Sequence, residues 1–277
     1  LMARGPGAPE ATNLGIRDQS DLPVLSGDGT LLVFSDEGTI GGVNYTVLMR
    51  KTDGSPEVRL GEGEPQAVSP DGRFVLADVP SNPPRLMLYP TGPGASRQLD
   101  VGTFKSIAYI SGSLAAVGND LRFTFCGARP QQAMRCFVGT ATGGTITPIT
   151  PDGTSGPALL SPDGLRVLVE VNGSMRIYPA AGGSPQPARG FDPNDALLRW
   201  SPDGRAVWVV NSGDSLTMHV YRVDPATGSR TELERIVPRA QTGLVSLGKT
   251  SLADDPHVYA YVEFQYLSTL YRVDGVK

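Results

Sequence analysis

The chain is poor in the residues that build metal and nucleophile centres, with two histidines and two cysteines among 277 residues. His219 and His257 lie far apart from the cysteines at 126 and 136, so the clustered ligands of a zinc site are missing and no cofactor is expected. Each histidine reads as a solvated or edge-packed strand residue. No run of 18 apolar residues occurs, so no helical membrane insertion by this segment is expected, and neither a signal peptide nor an amphipathic helix of useful length is in view. Lys and Arg number 24 against 28 Asp and Glu, for a net charge of −4, and the basic residues are scattered singly. That pattern lacks the basic stripe that a phosphate backbone needs, which excludes nucleic acid as a partner. A Gly-x-Ser-x-Gly nucleophile elbow is also absent.

What the chain has in quantity is glycine and proline, 34 and 24 residues, placed at regular points between short apolar runs. The clearest unit is Ser201-Pro202-Asp203-Gly204 followed by the unbroken apolar run Ala206 to Val210. Proline pre-sets φ in the turn, aspartate bonds its own backbone, and glycine takes a positive φ. A strand without polar alternation is one covered on both faces. The phrase recurs as Ser69-Pro70-Asp71-Gly72 and Ser161-Pro162-Asp163-Gly164, more loosely as Ser26-Gly27-Asp28-Gly29, and in decayed form at Ser111-Gly112-Ser113 and from Ser251 to Pro256. The serines are spaced by 43, 42, 50, 40 and 50 residues, the period of a four-stranded propeller blade.

Each unit divides into an inner strand before the turn, a second strand after it, and a third strand such as Leu86 to Tyr89, Met175 to Tyr178 or His219 to Val223. Further turn signals follow the third strand, and outer strands come next, for example Glu57 to Leu60 and Ser229 to Leu233. The expected fold is all-β: one domain over residues 1–277, a six-bladed propeller of four-stranded antiparallel blades, its ring closed by N- and C-terminal strands. The sixth unit ends at Lys277 with its third strand at Thr269 to Val273, so Thr12 to Ile16 is expected to supply its outer strand beside that third strand. Leu1 to Pro9 resembles Leu86 to Gly94, a third strand with its turn. Since that role is already filled, these residues are either displaced or, the preferred reading, part of a preceding blade in a longer parent chain.

The Ser-Pro-Asp-Gly turns at 69, 161 and 201 resemble the TolB-like, WD40-like propeller repeat of bacterial proteins. Longer phrases, Asn44 to Val47, Arg50 to Pro56, Val58 to Gly63 and Leu267 to Gly275, resemble the C-terminal propellers that follow bacterial serine/threonine kinase domains. The resemblance implies a sensor or scaffold role and an extracytoplasmic, periplasmic location. It carries no shared catalytic motif. Cys126 and Cys136 end the strands of one hairpin, and either form a bridge, implying an oxidising compartment, or remain two small buried thiols.

Asp71, Asp163 and Asp203, with Gly29, Gly72, Gly164 and Gly204, are read as structural turn residues, because calcium ligation needs further oxygens at alternate positions. Trp200 and Trp208 are read as blade-to-blade packing. Carboxylates at Asp36 and Glu37, Asp192 and Asp195, and Asp254 and Asp255 fall in expected loops, where solvated turn residues are a plainer account than acid/base chemistry. Loops from second to third strand, and from outer to next inner strand, share one face around the channel mouth. That face is expected to present Asp36, Asn44, Glu64, Arg129, Gln132, Asp192, Asn194, Asp195, Arg239, Gln241 and Tyr266, with Arg199 pointing into the channel. The set suits a protein, peptide or small-molecule ligand held by a monomeric, non-enzymatic module. The alternative is a propeller enzyme, a polysaccharide lyase or hydrolase with an active site at the channel mouth.

Overall fold

The structure is a computed structural model and describes residues 1–16, 19–39, 41–108, 113–213, 216–239 and 242–266. Its strands pair antiparallel in six sheets set around a central channel. β1 (Met2–Arg4) and β2 (Thr12–Asn13) belong to the last blade. Blade one is β3 (Ser20–Leu25), β4 (Leu31–Asp36), β5 (Thr46–Lys51) and β6 (Val58–Glu62). Blade two is β7 (Glu64–Val68), β8 (Phe74–Val79), β9 (Arg85–Pro90) and β10 (Arg97–Leu99). Blade three has a two-piece inner strand, β11 (Ser106–Ile107) and β12 (Ser113–Val117), then β13 (Asp120–Ala128), β14 (Arg135–Thr140) and β15 (Thr147–Pro148). Blade four is β16 (Ala158–Leu160), β17 (Arg166–Val171), β18 (Ser174–Pro179) and β19 (Gln186–Pro187). Blade five is β20 (Ala196–Trp200), β21 (Val207–Asn211), β22 (Met218–Val223) and β23 (Arg230–Ile236). Blade six joins β24 (Leu244–Leu252) and β25 (Tyr259–Gln265) to β1 and β2.

Two expectations about strand placement are corrected. The turn between the inner and second strands of blade three is at Gly118 and Asn119, where Val117 pairs with Asp120; Ser113, expected in that turn, belongs to β12, and Ser111 and Gly112 lie outside the described residues. The residues at the N-terminus are not left over from a preceding blade. Met2, Ala3 and Arg4 pair with Tyr261, Ala260 and Tyr259, so β1 is the third strand of blade six, and Thr12 and Asn13 pair with it as the outer strand. The likeness of Leu1 to Pro9 to a third strand and turn was therefore literal, while Thr269 to Val273 lies outside the described residues. Closure by strands from both ends of the chain stands.

The repeated turn is held by one hydrogen-bond network in four copies. Ser26, Ser69, Ser161 and Ser201 each donate Oγ to the Oδ1 of Asp28, Asp71, Asp163 and Asp203 at 2.5–2.6 Å. The same aspartate oxygen accepts the backbone N–H two residues on, at Thr30, Arg73, Leu165 and Arg205. The serine oxygen in turn accepts the first N–H of the following strand, at Leu31, Phe74, Arg166 and Ala206. Serine and aspartate thus satisfy the backbone groups that a tight reversal strips of partners. Glycine completes the turn at φ +72°, +70°, +69° and +66° for Gly29, Gly72, Gly164 and Gly204.

Between blades, apolar faces interlock and side chains tie turns to neighbours. Leu76, Leu86 and Leu88 of blade two pack against Phe123, Phe125 and Phe137 of blade three. Phe104 meets Phe125 and Phe137 edge-on at 5.1 and 5.2 Å. Arg122 donates to the Gly164 carbonyl and Arg166 to that of Gly204, each reaching one blade onward. Trp200 is buried, donates Nε1 to the Leu159 carbonyl at 2.9 Å and carries the Arg166 guanidinium 4.9 Å over its ring; Trp208 is buried as well. Cys126 and Cys136 stand in register on β13 and β14, both fully buried, and are bridged.

Valine at these glycines tests the turn account. A Cβ at Gly72 meets nothing nearer than Leu31 at 3.9 Å, whereas one at Gly164 falls 2.4 Å from Val117 and one at Gly29 falls 2.4 Å from Val258. Gly72→Val should therefore cost about 1–3 kcal/mol of backbone strain, and Gly164→Val and Gly29→Val more than that. Urea midpoints measure it, and equal values for all three variants would contradict the packing assigned to these turns.

Candidate functional site

The inner strands β3, β7, β12, β16, β20 and β24 enclose a channel of about 310 Å³. Its wall is mainly leucine and proline, including Leu25, Leu114, Leu159, Leu160, Leu252, Pro65 and Pro157. One end is ringed by turn residues that follow the inner strands, namely Gly27, the exposed Pro70, Pro162 and Pro202, and Asp254. The cavity therefore opens on the face of the Ser-Pro-Asp-Gly turns.

Four inner strands are not regular, and their irregularities face the channel. In β3, Leu22 and Pro23 lie between the pairs Asp21 with Ser35 and Val24 with Val33, two residues opposite one. Gln66 is the extra residue of β7 and Leu198 that of β20. In β24, Gly248 and Lys249 fall between Leu247 with Glu263 and Thr250 with Tyr261. A bulge re-aims the side chain it carries. Leu22, Pro23, Gln66, Leu198 and Lys249 all line the cavity.

Two cations reach this space and differ in state. Arg199, on β20, donates to the Leu252 carbonyl at 3.1 Å and to Asp254 Oδ1 at 2.5 Å, with Trp208 beneath it at 5.9 Å. Its charge is paired within the rim. Lys249 has no hydrogen bond or ion pair among the described residues, and burial pushes its ammonium down to about 8, opposed by the more distant charge of Asp21.

Carboxylates gather where β3 and β7 begin and β4 and β8 end. Burial, followed by the charges of Glu37 and Asp21, pushes Glu64 up to about 7. Asp78 is pushed up to about 7 by burial and then by Glu64, against a hydrogen bond from Gln66 Nε2. Burial also raises Glu37. Among the described residues no three His, Cys, Asp or Glu side chains converge as a metal site.

The residues singled out from sequence are dispersed. Only Arg199 lines the cavity, and it does so from the turn end, opposite the loop face assigned to the others. Glu64 belongs to the carboxylate group, and Asp36, at the end of β4, is buried with its Oδ1 accepting the Gly38 N–H. Asp195 is not a solvated loop carboxylate: its side chain is wholly buried, paired with Arg230 at 2.5 and 2.8 Å and bonded by Asn211. Arg129 lies over Phe104 and Phe137 at 5.4 and 5.5 Å. Asn44 donates to Glu62 and Arg239 to Glu10, while Asp192 accepts the Asn194 N–H. Gln132 and Tyr266 are exposed, and Gln241 lies outside the described residues. Lys249 escaped the sequence reading, although a glycine beside a lysine inside an apolar strand is a bulge signal.

The six-bladed ring has the TolB-like propeller fold. The fold matches TolB from Acinetobacter baumannii with a TM-score of 0.61 at 15% identity, over 86% of this chain and 64% of that one. A TolB-assigned protein of Agrobacterium tumefaciens aligns with TM-score 0.60 and 19% identity, over 85% and 88% of the two chains. An oligogalacturonate lyase from Vibrio parahaemolyticus aligns with TM-score 0.53 and 17% identity, over 92% and 75%. At these identities the likeness is one of fold, and the chain spans less than two thirds of the Acinetobacter protein. No family model matches the sequence, and no curated protein sequence matches it.

The raised carboxylates set a direction for pH. A carboxyl whose pKa is higher folded than unfolded contributes stability that is complete below the unfolded value and lost as pH rises through the folded value. Glu64 and Asp78 place that loss between about pH 4 and 7. Thermal midpoints should fall from pH 5 to pH 8, and Glu64→Gln with Asp78→Asn should flatten the slope. An unchanged slope in the double variant would show that these groups are not buried together as described.

Proposed function

We propose that the chain is a non-enzymatic binding module that takes a protein, peptide or small-molecule ligand in its central channel. The observation that carries this reading is the channel itself, a cavity of about 310 Å³ with apolar walls and bulge-directed side chains. Its size falls in the range of small-ligand pockets, and the rigid ring supplies a preformed surface. The resemblance to kinase-linked propellers supports a sensor that reports to an effector domain elsewhere in a longer parent chain. A closed ring deforms little, so clustering or a contact with a neighbouring domain is the route for such a signal. The bridge between Cys126 and Cys136 supports an oxidising, extracytoplasmic setting.

The second reading is a lyase or hydrolase, supported by the fold likeness to an oligogalacturonate lyase and by the raised carboxylates Glu64 and Asp78 where β7 begins and β8 ends. One experiment separates the two. The purified domain is screened for saturable binding and for turnover on peptide and oligogalacturonate panels, beside Leu198→Trp, which fills the channel, and a Gln132→Ala, Asp192→Ala, Arg239→Ala variant of the loop face. Binding without turnover, weakened about tenfold or more by Leu198→Trp and kept by the triple variant, is expected. Turnover establishes the enzyme reading, and loss of binding in the triple variant alone places recognition on the loop face.

A further inference from the structure

We infer that the channel holds a carboxylate, with Lys249 as its anion-binding group and the leucine and proline wall holding an uncharged chain behind it. This rests on the channel being the binding site and adds the chemistry of what enters. Lys249 sits on a bulge in β24, lines the cavity, and has three N–H donors without a partner among the described residues. A half-buried ammonium with no acceptor from the described residues has lost part of its hydration, and an incoming anion offsets that loss. Arg199 is the weaker candidate, since its charge is already paired with Asp254 and it also donates to the Leu252 carbonyl. Asp21 acts on Lys249 only through space, with no ion pair between them. The wall asks for more than a bare anion, because the cavity that Lys249 lines also presents Pro65, Pro157, Leu198 and Leu252, which gain from apolar contact and offer a sugar few partners.

A carboxylate on an apolar chain comes from two sources, a free aliphatic acid or the C-terminus of a peptide. Calorimetry with hexanoate against hexanamide, and with acetyl-Leu-Pro-Leu as free acid against its amide, distinguishes them. In at least one pair the acid should bind the wild-type domain about tenfold or more tighter than the amide, the margin of a charge-assisted hydrogen bond. Lys249→Met should abolish that preference while leaving amide binding in place, and Lys249→Arg should keep it. Thermal midpoints verify that the variants fold, and the acid and amide comparison on the unaltered protein needs no variant. Acid and amide binding equally, both blocked by Leu198→Trp, would overturn the carboxylate assignment and leave the channel as a binding site. Failure of all four probes to saturate at millimolar concentration would overturn the carboxylate assignment, and indifference of panel binding to Leu198→Trp would overturn the channel as well.

Discussion

Everything in the ring depends on one pairing, that of Met2, Ala3 and Arg4 with Tyr261, Ala260 and Tyr259. Without it, β24 and β25 would form a two-stranded blade with an open edge, and a lone pair of strands is marginal in water. The pairing also carries burial: Ala3 and Leu14 enter the cluster of Leu25, Leu32, Phe34, Val258 and Ala260 that joins blade six to blade one. The last blade and the first therefore share a core supplied from both ends of the chain. Leu25 N–H donates to Ser251 Oγ and Asp254 N–H to the Gly27 carbonyl across the same seam.

Given closure, the repeated turn does the rest of the local work. Its serine and aspartate absorb the backbone donors of the reversal, so the following strand starts in one register and its apolar run enters the core directly. Blade three dispenses with this device, using Gly118 at φ +60° in a two-residue turn, and its blade leans instead on the phenylalanine cluster and the bridged hairpin. The aspartates of the turns are held below the usual carboxylate range, with the serine hydrogen bond the first cause at Asp28 and Asp203. Their contribution is present at neutral pH and lost in acid, opposite in sign to that of Glu64 and Asp78.

The channel shows how a repeat acquires individuality. Regular inner strands would line it with the same kind of residue six times over. Bulges at Leu22 and Pro23, at Gln66, at Leu198 and at Lys249 break that uniformity and place a different side chain at each station. Leu22 sits at φ +49°, a backbone state that a branched residue adopts only when its surroundings hold it there.

Much of the architecture was legible in residue order. Six blades, the turns at Ser69, Ser161 and Ser201 with their following strands, the buried tryptophans and the structural role of Asp71, Asp163 and Asp203 all follow from local chemistry, because a proline, an aspartate and a glycine in sequence leave the backbone few choices; where that phrase decays, in blades three and six, strand placement was not legible. The same logic located the strand-like start of the chain in its true motif, yet which blade it completes depends on where residues about 255 positions away come to lie, a matter of closure. The site was less legible. Asp195 looked like a solvated carboxylate until Arg230, 35 residues on, was placed beside it. Arg199 pointed to the channel from its inner strand, but its end of the channel was decided by Asp254 in the next blade. Lys249 became a channel residue through a one-residue bulge, and a bulge is settled by how two strands register against a shared core. Turns are short-range and are written in the sequence; the face that opens, and the lysine that a bulge turns into the channel, are set only when six blades meet.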